Sequence, residues 1–374
     1  MDYRLTAARL AKPLEQIERL RWLFDNLGLD PQYEEWFRHR AWVRTVHGTT
    51  RIEGNSLSDL EVEEVLERSP SLRQKDILEV LATREALAFA DAVARRRGVD
   101  VDERLIREIH KRVLDDIDPM LQPGEYRRGQ NRVADAEGRL IFSTPVSGDV
   151  PELMHSFGTW LRAGGDRQAA PVVAALAHLE LVAIHPFYDG NGRTARALAR
   201  YILVRGGYAL NGVVSLDAYL DLQRREYFAA IRRAVGRTYK PGYDATPFVG
   251  YFIGAIAASA EHVLGQVKAL GRLVNELRAT AVKGTLPARL LDGLAYAWVN
   301  GNIRPADYTR ITGRTGPGAS RDLQLAVDLD YLEPTGRTRA RRYLLGPKLR
   351  RVAPAHITKF RTGSPGNRPR RPTS

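Results

Sequence analysis

The 374-residue chain contains no cysteine. Disulfide bonds and thiolate metal sites are therefore excluded, and a reducing cytoplasm is the location that fits this absence most simply. The sequence also lacks a charged-then-apolar leader at its start. Its least polar segment, residues 245–260, carries no charge but is shorter than the roughly 20 residues that a membrane span needs. We expect a cytoplasmic protein without membrane contact.

Acidic residues are missing from residues 346–374, a segment that holds eight Lys and Arg residues. Residues 304–345 hold eight arginines against five acids, so most of the net charge of +13 lies at the C-terminal end. Such a basic end predicts a polyanionic partner. Because residues 346–374 are also rich in Pro and Gly, we expect a disordered tail whose attraction to nucleic acid weakens with salt.

The rest of the composition is that of a globular protein, with 44% hydrophobic and 27% charged residues. Its length suffices for two or three domains. Apolar spacing and stop signals predict helices throughout the chain. The predicted helices cover residues 31–52, 59–69, 75–97, 103–114, 151–162, 171–184, 215–234 and 246–280.

The most informative stretch is HPFYDGNGRTAR, residues 185–196. It lies between two helical patterns and predicts a helix-loop-helix turn. Gly190 and Gly192 flank Asn191, so the backbone can form a concave nest of N–H groups that holds an anion. The next helix starts directly afterwards, and its positive dipole end faces the same place. A phosphate-binding loop is therefore predicted here.

Charged side chains surround this loop. Arg193 and Arg196 share one helix face, where two guanidinium groups could bind phosphate oxygens. Asp189 is a hard carboxylate beside the nest and a candidate ligand for Mg²⁺. His185 is a candidate general base for a hydroxyl that attacks phosphorus. The alternative is a glycine-rich turn with a solvated, charged rim.

This stretch resembles the signature of the Fic family, HPFx(D/E)GNGRxxR, and every fixed position is filled. The resemblance implies a helical core with a small β-hairpin, and transfer of AMP from ATP to a protein hydroxyl. It implies that His185 deprotonates the hydroxyl, that Asp189 holds Mg²⁺ and that the glycine loop cradles the phosphates. Arg193 would bind the β-phosphate and Arg196 the γ-phosphate.

A second segment, TTRIEGN at residues 49–55, resembles the inhibitory motif (S/T)xxxE(G/N) found in many Fic proteins. The matching positions are Thr49, Glu53 and Gly54. A carboxylate in the nucleotide pocket would pair with Arg196 and repel the γ-phosphate, so ATP could bind only in an unproductive pose. The alternative is that Glu53 is an ordinary carboxylate at a helix end, before a glycine stop.

Two further expectations rest on the same resemblance. Residues 132–142 predict a short β-hairpin, which in Fic proteins is a flap whose edge can pair with an extended target segment. The alternative is a loop that packs on the core. Tyr227 and Phe228 lie where relatives place residues near the adenine, although two aromatic residues at helical spacing more often belong to a core.

Residues 281–345 predict three helices and then an arginine-rich hairpin, with a short strand at Ile303. This order resembles a winged helix-turn-helix, which binds DNA through its third helix and its wing, although such modules also dock proteins. Arg304 is a poor N-cap, and Gly316 and Gly318 cost roughly 1 kcal/mol each within a helix. The side chains expected to face DNA are Ser320, Arg321 and Gln324 in the third helix and Arg337, Arg339 and Arg341 in the wing.

These observations predict a mainly α protein in four parts. They are an N-terminal helical region with the inhibitory motif (1–98), a Fic catalytic core with following helices (99–280), a winged helix-turn-helix-like domain (281–345) and a basic disordered tail (346–374). The predicted activity is Mg²⁺-dependent transfer of AMP from ATP to a Ser, Thr or Tyr hydroxyl of a protein target, with Glu53 as an internal inhibitor.

Two alternatives to this activity stay open. The protein could be a DNA-binding regulator that uses the pocket only to sense nucleotide, or the same site could remove AMP, with Glu53 orienting a water molecule. The expected partners are a protein target with a hydroxyl side chain, DNA through the C-terminal domain and a second copy of the chain.

Overall fold

The computed structural model describes residues 1–68, 74–96, 101–134, 138–164, 168–336 and 341–352. The predicted mainly α architecture is confirmed. The helices in this part of the chain are α1 (Ala11–Asp25), α2 (Pro31–Ile52), α3 (Asp59–Arg68), α4 (Lys75–Ala94), α5 (Glu103–Val113), α6 (Val150–Gly164), α7 (Ala170–Ile184), α8 (Asn191–Arg205), α9 (Leu216–Leu222), α10 (Arg224–Val235), α11 (Thr246–Val282), α12 (Leu291–Asn300), α13 (Pro305–Thr312), α14 (Gly316–Asp328) and α15 (Pro347–Val352).

The strands are few and short. They are β1 (Tyr3–Arg4), β2 (Arg132–Ala134), β3 (Leu140–Ser143), β4 (Tyr243–Asp244), β5 (Asn302–Ile303), β6 (Leu332–Thr335) and β7 (Arg342–Leu345). β1 pairs with β4 in parallel, β2 with β3 antiparallel, and the third sheet has the antiparallel order β5-β7-β6.

The chain forms two compact units. The first contains Met1–Leu27 and Trp42–Ser259, and the second contains Gly28–Ala41 and the described residues from Ala260 onward. The boundaries predicted at residues 98, 280 and 345 stay predictions.

The first unit is built around α7. Its apolar residues continue around the whole helix, a pattern typical of a helix buried on all sides, and nearly all its side chains are inaccessible to solvent. α7 packs against α6 and α8, and α4 and α5 pack on the other faces of α8. The turn between α7 and α8 is therefore held between helices with little freedom to move.

Several helix starts are capped by side chains. The Asp30 carboxylate accepts the Gln32 N–H at 2.9 Å before α2, and Ser58 and Glu61 form a reciprocal capping box at α3. The single helix predicted over residues 215–234 is wrong: α9 and α10 are separate helices that meet at the non-helical Gln223.

The predicted hairpin is confirmed as β2 and β3, with a register shift between Val133 and Ala134. Its turn, residues 135–137, lies outside the described residues. Ser143 at the base of β3 donates its N–H to the Arg237 carbonyl and accepts the Tyr239 N–H, both at 2.9 Å. The base of the hairpin is thus fixed to the first unit.

The second unit carries the element order predicted for its C-terminal part, in which α12, β5, α13 and α14 precede the β6–β7 hairpin. The start of α13 at Arg304 is better stabilised than expected. The Asp307 carboxylate accepts hydrogen bonds from the Arg304 backbone N–H at 3.1 Å and from its Nε at 2.8 Å. The expected disorder from residue 346 is wrong for α15, whose Leu349 is fully buried, while residues 353–374 lie outside the described part.

One described helix, α11, is long and apolar enough to cross a membrane by length and composition alone. In its most apolar window, 56% is buried inside the protein. Side chains such as Phe248, Phe252 and Ile253 are inaccessible to solvent, which is the behaviour of a core helix.

Candidate active site

The predicted base, His185, forms the C-terminal cap of α7. Its backbone is left-handed (φ 52°), and its N–H donates to the Leu181 carbonyl at 2.9 Å. Its Nδ1 lies 3.3 Å from the Val182 carbonyl, and a carbonyl can only accept, so Nδ1 carries the proton. Burial lowers the pKa of the imidazole, which favours the neutral form. Nε2 therefore keeps a lone pair and can accept a proton.

The glycine turn, which we define as residues 185–192, is shaped by the Asn191 side chain. The Asn191 Oδ1 accepts the Phe187 N–H at 3.0 Å, and its Nδ2 donates to the Phe187 carbonyl at 2.9 Å. The side chain is thus occupied within the turn, and Asn191 can serve a phosphate only through its backbone N–H. Gly190 has a φ of 73°, which favours glycine, and a Cβ there would make a tight contact of 3.1 Å with the Val113 side chain.

His110 of α5 supports the same turn and was not identified from the sequence. Its Nδ1 accepts the Gly124 N–H at 2.9 Å, so the neutral ring must carry its proton on Nε2, 3.0 Å from the Asp189 carbonyl. The ring stacks on Phe187 with a centroid distance of 3.6 Å. Burial lowers the pKa of His110 to about 4. A single histidine on the apolar face of a helix gave no signal of this role.

Arg127 is the second supporting residue that sequence reasoning missed. Its buried guanidinium donates to three carbonyls, those of His185 at 2.9 Å, Gly129 at 3.1 Å and Pro145 at 2.7 Å. These bonds join the left-handed His185 to the segments that flank the hairpin. Such support is what a strained residue needs in order to persist.

Arg193 carries unused hydrogen-bond capacity beside the glycine turn. Its Nη2 lies 3.3 Å from Asp189 Oδ2, while Nε and Nη1 have no partner among the described residues, although the side chain is only 2% exposed. A buried guanidinium with unused donors is unfavourable unless a ligand completes it. Phosphate oxygens are suitable acceptors for these donors.

The Asp189 carboxylate is more open than Arg193. Its Oδ1 accepts the Gly190 N–H at 2.6 Å, and the side chain is 46% exposed. A hydrated Mg²⁺ needs only one or two such protein oxygens. These residues therefore fit a metal-bound triphosphate by the chemistry of their donors and acceptors.

The predicted pairing of Glu53 with Arg196 is present. The Arg196 Nη2 donates to Glu53 Oε1 at 2.7 Å and to the Thr49 carbonyl at 2.9 Å, and its Nε donates to the Thr49 hydroxyl at 2.6 Å. Burial by itself would lower the pKa of the guanidinium, but the combined effects of Glu53, Tyr227 and Asp217 outweigh it and the pKa is raised.

The Glu53 carboxylate also lies directly against the glycine turn. A Cβ added to Gly192 would overlap the Glu53 carboxylate oxygen. Gly54, with a φ of 97°, lets the chain turn away immediately after Glu53. The three residues of the inhibitory motif therefore act on one place, which is where the predicted loop would hold phosphate.

The two residues predicted near the adenine differ in exposure. Tyr227 is 1% exposed, and its hydroxyl lies 2.9 Å from His178 Nε2 and 3.5 Å from Arg196 Nη1. It offers no surface to an adenine in this structure, and it belongs to the surroundings of Arg196. Phe228 is 38% exposed, and its contact with adenine stays a prediction.

The predicted DNA-facing side chains can be described in part. Ser320, Arg321 and Gln324 are exposed on α14, and Arg341 is exposed at the start of β7. Gln324 donates to Asp328 at 2.9 Å, so an acidic residue lies on the same face. Arg337 and Arg339 lie outside the described residues.

Comparisons with known proteins match the region of the sequence that contains the glycine turn. The sequence model of the Fic/DOC family matches residues 100–203. The protein adenylyltransferase Fic of Aedes aegypti is 36% identical over 172 residues, which are 45% of this chain and 33% of that protein. The same-named protein of Drosophila grimshawi is 30% identical over 262 residues, 69% of this chain and 50% of that protein. The chain thus spans a third to a half of the length of these curated relatives.

Solved structures agree as well, each with a TM-score of 0.58. Fic-1 from C. elegans is 29% identical and covers 70% of this chain and 74% of its own. A Fic-domain signalling protein from Bacteroides thetaiotaomicron is 26% identical and covers 68% and 97%. A Fic family protein from Desulfovibrio desulfuricans, at 21% identity, covers 92% and 98% and supports the fold alone. The motif, the helical core around it and these comparisons establish that residues 100–203 are a Fic domain of the Fic/DOC family.

Proposed function

We propose that the protein transfers AMP from ATP to a Ser, Thr or Tyr hydroxyl of a protein target, and that Glu53 restrains this activity. The observation that carries the proposal is the contact of Glu53 with Arg196 against Gly192. A carboxylate can inhibit only a site that would otherwise bind nucleotide productively. The relatives named protein adenylyltransferase support the same activity.

His185 would act as the general base. Its Nε2 takes the proton of the target hydroxyl, and the hydroxyl oxygen bonds to the α-phosphorus of ATP. The bond from that phosphorus to the bridging oxygen breaks, and pyrophosphate leaves. The burial that lowers the pKa of His185 keeps the imidazole neutral, and therefore able to act as a base, at neutral pH.

The glycine turn and the two arginines would hold the phosphates. The unused Nε and Nη1 donors of Arg193 fit the β-phosphate, and the Nη groups of Arg196 fit the γ-phosphate once Glu53 leaves. Asp189 would hold Mg²⁺, which when bound neutralises phosphate charge. The backbone of the turn positions the triphosphate for attack, which is the larger part of catalysis in phosphoryl chemistry.

Inhibition follows from competition for Arg196. While Glu53 holds Nη2 at 2.7 Å, the guanidinium is satisfied and the carboxylate repels the γ-phosphate. ATP can then bind without the geometry that in-line attack requires. Removal of the carboxylate frees the arginine without altering the turn.

One experiment separates this activity from its alternatives. The protein, Glu53→Gly, His185→Ala and the double variant are incubated with candidate targets and ATP labelled at the α- or the γ-phosphate. His155→Ala, which changes an exposed histidine on α6, is the matched control. We expect label from the α-phosphate only, increased by Glu53→Gly, lost with His185→Ala and unchanged in the control.

The other outcomes point to other functions. Label from the γ-phosphate would indicate phosphotransfer. Nucleotide binding without label in any variant would favour a sensor. Release of AMP from a premodified target that depends on Glu53 would favour the reverse reaction. Loss of α-label transfer on chelation of Mg²⁺, and its weakening in Asp189→Asn, would support the metal.

A second function, DNA binding by the C-terminal module, is favoured by the β6–β7 hairpin that follows α12, α13 and α14 and by the exposed Ser320, Arg321 and Gln324. Full-length protein is titrated with a fluorescent duplex over a range of salt. We expect Arg321→Ala to weaken binding and to reduce the salt slope by about 1. The matched control is Arg272→Ala on α11, which removes the same charge elsewhere.

Binding that is absent or independent of salt would leave protein docking as the role of the module.

A further inference from the structure

A second carboxylate, that of Asp217, lies beside the Arg196 guanidinium but belongs to neither motif. It sits in the first turn of α9, with Oδ1 3.5 Å from Arg196 Nε. The residue is 5% exposed, and this oxygen has no hydrogen-bond partner among the described residues. A buried carboxylate oxygen without a hydrogen bond is unfavourable, so its presence beside an arginine calls for a physical reason.

The reason is the Thr49 hydroxyl. The Nε proton of Arg196 goes to Thr49 Oγ1 at 2.6 Å. Burial raises the pKa of the Asp217 carboxyl, and the side chains of Arg196 and Thr49 lower it, so Thr49 interacts with both the guanidinium and the carboxyl. Without the Thr49 hydroxyl, the free Asp217 oxygen at 3.5 Å would be the acceptor left for the Nε proton.

The position of Asp217 relative to Thr49 is set by close backbone packing. A Cβ on Gly48 would lie 2.7 Å from the Asp217 backbone, so α2 and α9 touch where only glycine fits. Nearby, the Thr45 hydroxyl donates to Ser215 Oγ at 2.9 Å, and Ser215 caps α9. Asp217 is thus fixed on α9, whereas Thr49 and Glu53 both belong to the end of α2.

We propose that Asp217 is a positioning residue for Arg196 in the active state, in which its Oδ1 and the Thr49 hydroxyl are alternative acceptors for the Nε proton. Both Nη groups then face the γ-phosphate as a fork, the geometry in which arginine binds phosphate best. Tyr227, 3.5 Å from Nη1, supports the guanidinium from α10. The proposal rests on the proposed function only in assigning Arg196 to the γ-phosphate.

A purely structural role for Asp217 makes a different prediction. A carboxylate in the first turn of a helix is stabilising by itself. Its loss would then weaken the site as a whole and affect ATP and ADP alike. A positioning role affects ATP alone, because ADP has no γ-phosphate.

The test is a double-mutant cycle on nucleotide affinity. Every protein tested is full-length and carries Glu53→Gly, together with His185→Ala to prevent turnover. Asp217→Leu and Asp217→Asn are each introduced with Thr49 intact and with Thr49→Val. Dissociation constants for ATP and ADP are measured by calorimetry with Mg²⁺. We expect Asp217→Leu to weaken ATP binding less than about twofold while Thr49 is present and about tenfold in the Thr49→Val background. Asp217→Asn, which keeps an acceptor, loses less, and ADP binding changes less than about twofold in every variant.

The matched control is Asp221→Leu, which changes the acid one turn further along α9 that pairs with Arg51 at 3.6 Å. It should leave the ATP affinity unchanged. Thermal unfolding of each variant confirms that it is folded, and ADP affinity confirms that the turn is intact.

Two results would overturn the proposal, and they differ from a failure of the proposed function. The positioning role would be wrong if the effects of Thr49→Val and Asp217→Leu on ATP affinity were additive, or if ATP and ADP affinity fell equally. In either case the proposed function would still stand as long as the protein without the Asp217 change binds ATP more tightly than ADP. If ATP binds no tighter than ADP before Asp217 is changed, Arg196 does not bind the γ-phosphate, and both proposals fall together.

Discussion

Arg193 and Arg196 lie about one turn apart in α8 but differ in what surrounds them. Arg193 has two donors without a partner among the described residues, whereas Arg196 is hydrogen-bonded on every nitrogen, chiefly by Thr49 and Glu53. The glycine turn and Arg193 are ready for a ligand, but Arg196 is already occupied. The proposed control of the site would therefore depend on one contact, made just after the end of α2.

The glycine turn and Arg196 are also held by residues from different parts of the sequence. The glycine turn is held by Asn191, His110 and Arg127, all of which lie within the Fic domain. Arg196 is held by residues before and after that domain in the sequence. Under the proposed function, the glycine turn would be supported from within the domain and Arg196 would be controlled from outside it.

The largest expected effect separates the two arginines directly. In the Glu53→Gly background, Arg193→Ala should raise the dissociation constants of ATP and ADP by about 10- to 100-fold, because charge-assisted hydrogen bonds contribute about 1.5–3 kcal/mol. Arg196→Ala should raise that of ATP by a similar factor and leave ADP within about twofold. Calorimetry on both nucleotides measures this. If Arg193→Ala and Arg196→Ala changed the dissociation constant of ADP equally, the two arginines would not bind different phosphates.

A smaller effect is expected when the support of the glycine turn is weakened. His110→Phe keeps the stacking on Phe187 but loses the hydrogen bonds to Gly124 and to the Asp189 carbonyl. We expect AMP transfer by Glu53→Gly protein to fall about tenfold, since a misplaced turn costs positioning. The matched control is His155→Phe on the exposed face of α6, and an unchanged rate in His110→Phe would show that the turn holds itself.

A third expected effect concerns stability and pH. The pKa of His110 is lowered to about 4 from its ordinary 6.5, so below pH 6.5 the unfolded chain binds a proton that the folded protein does not. Its contribution to stability is therefore lost as the pH falls from about 6.5 towards 4. Between pH 6.5 and 5 the loss is about 2 kcal/mol. Urea unfolding of the wild type and of His110→Phe at both pH values measures this difference, and an equal pH dependence in both would contradict it.

The parts that sequence could predict are those in which one local pattern carries the chemistry. The order His185, Asp189, Arg193 and Arg196 defines a helix-loop-helix turn by spacing and glycine content alone. The pairing of Glu53 with Arg196 joins distant positions, and it could be predicted because the resemblance supplied the partner.

What the sequence could not reveal depends on packing between distant elements. His110, Arg127 and Asp217 act through backbone carbonyls or through another side chain, and such contacts leave no periodic signal. The break at Gln223 and the buried helix α15 were missed for a related reason. Tertiary contacts there outweigh local propensity, as in α15, where Leu349 is buried despite a basic, Pro-rich surrounding.

We propose that Glu53 keeps Arg196 from the γ-phosphate of an AMP donor. This is tested by the initial rate of α-label transfer from ATP by the wild type and by Glu53→Gly at equal protein concentration. We expect a rate at least about tenfold higher for the variant, because the γ-phosphate must displace Glu53 from Arg196 in the wild type but gains the charge-assisted contact without that exchange in the variant. Equal rates, or a slower variant, would contradict it.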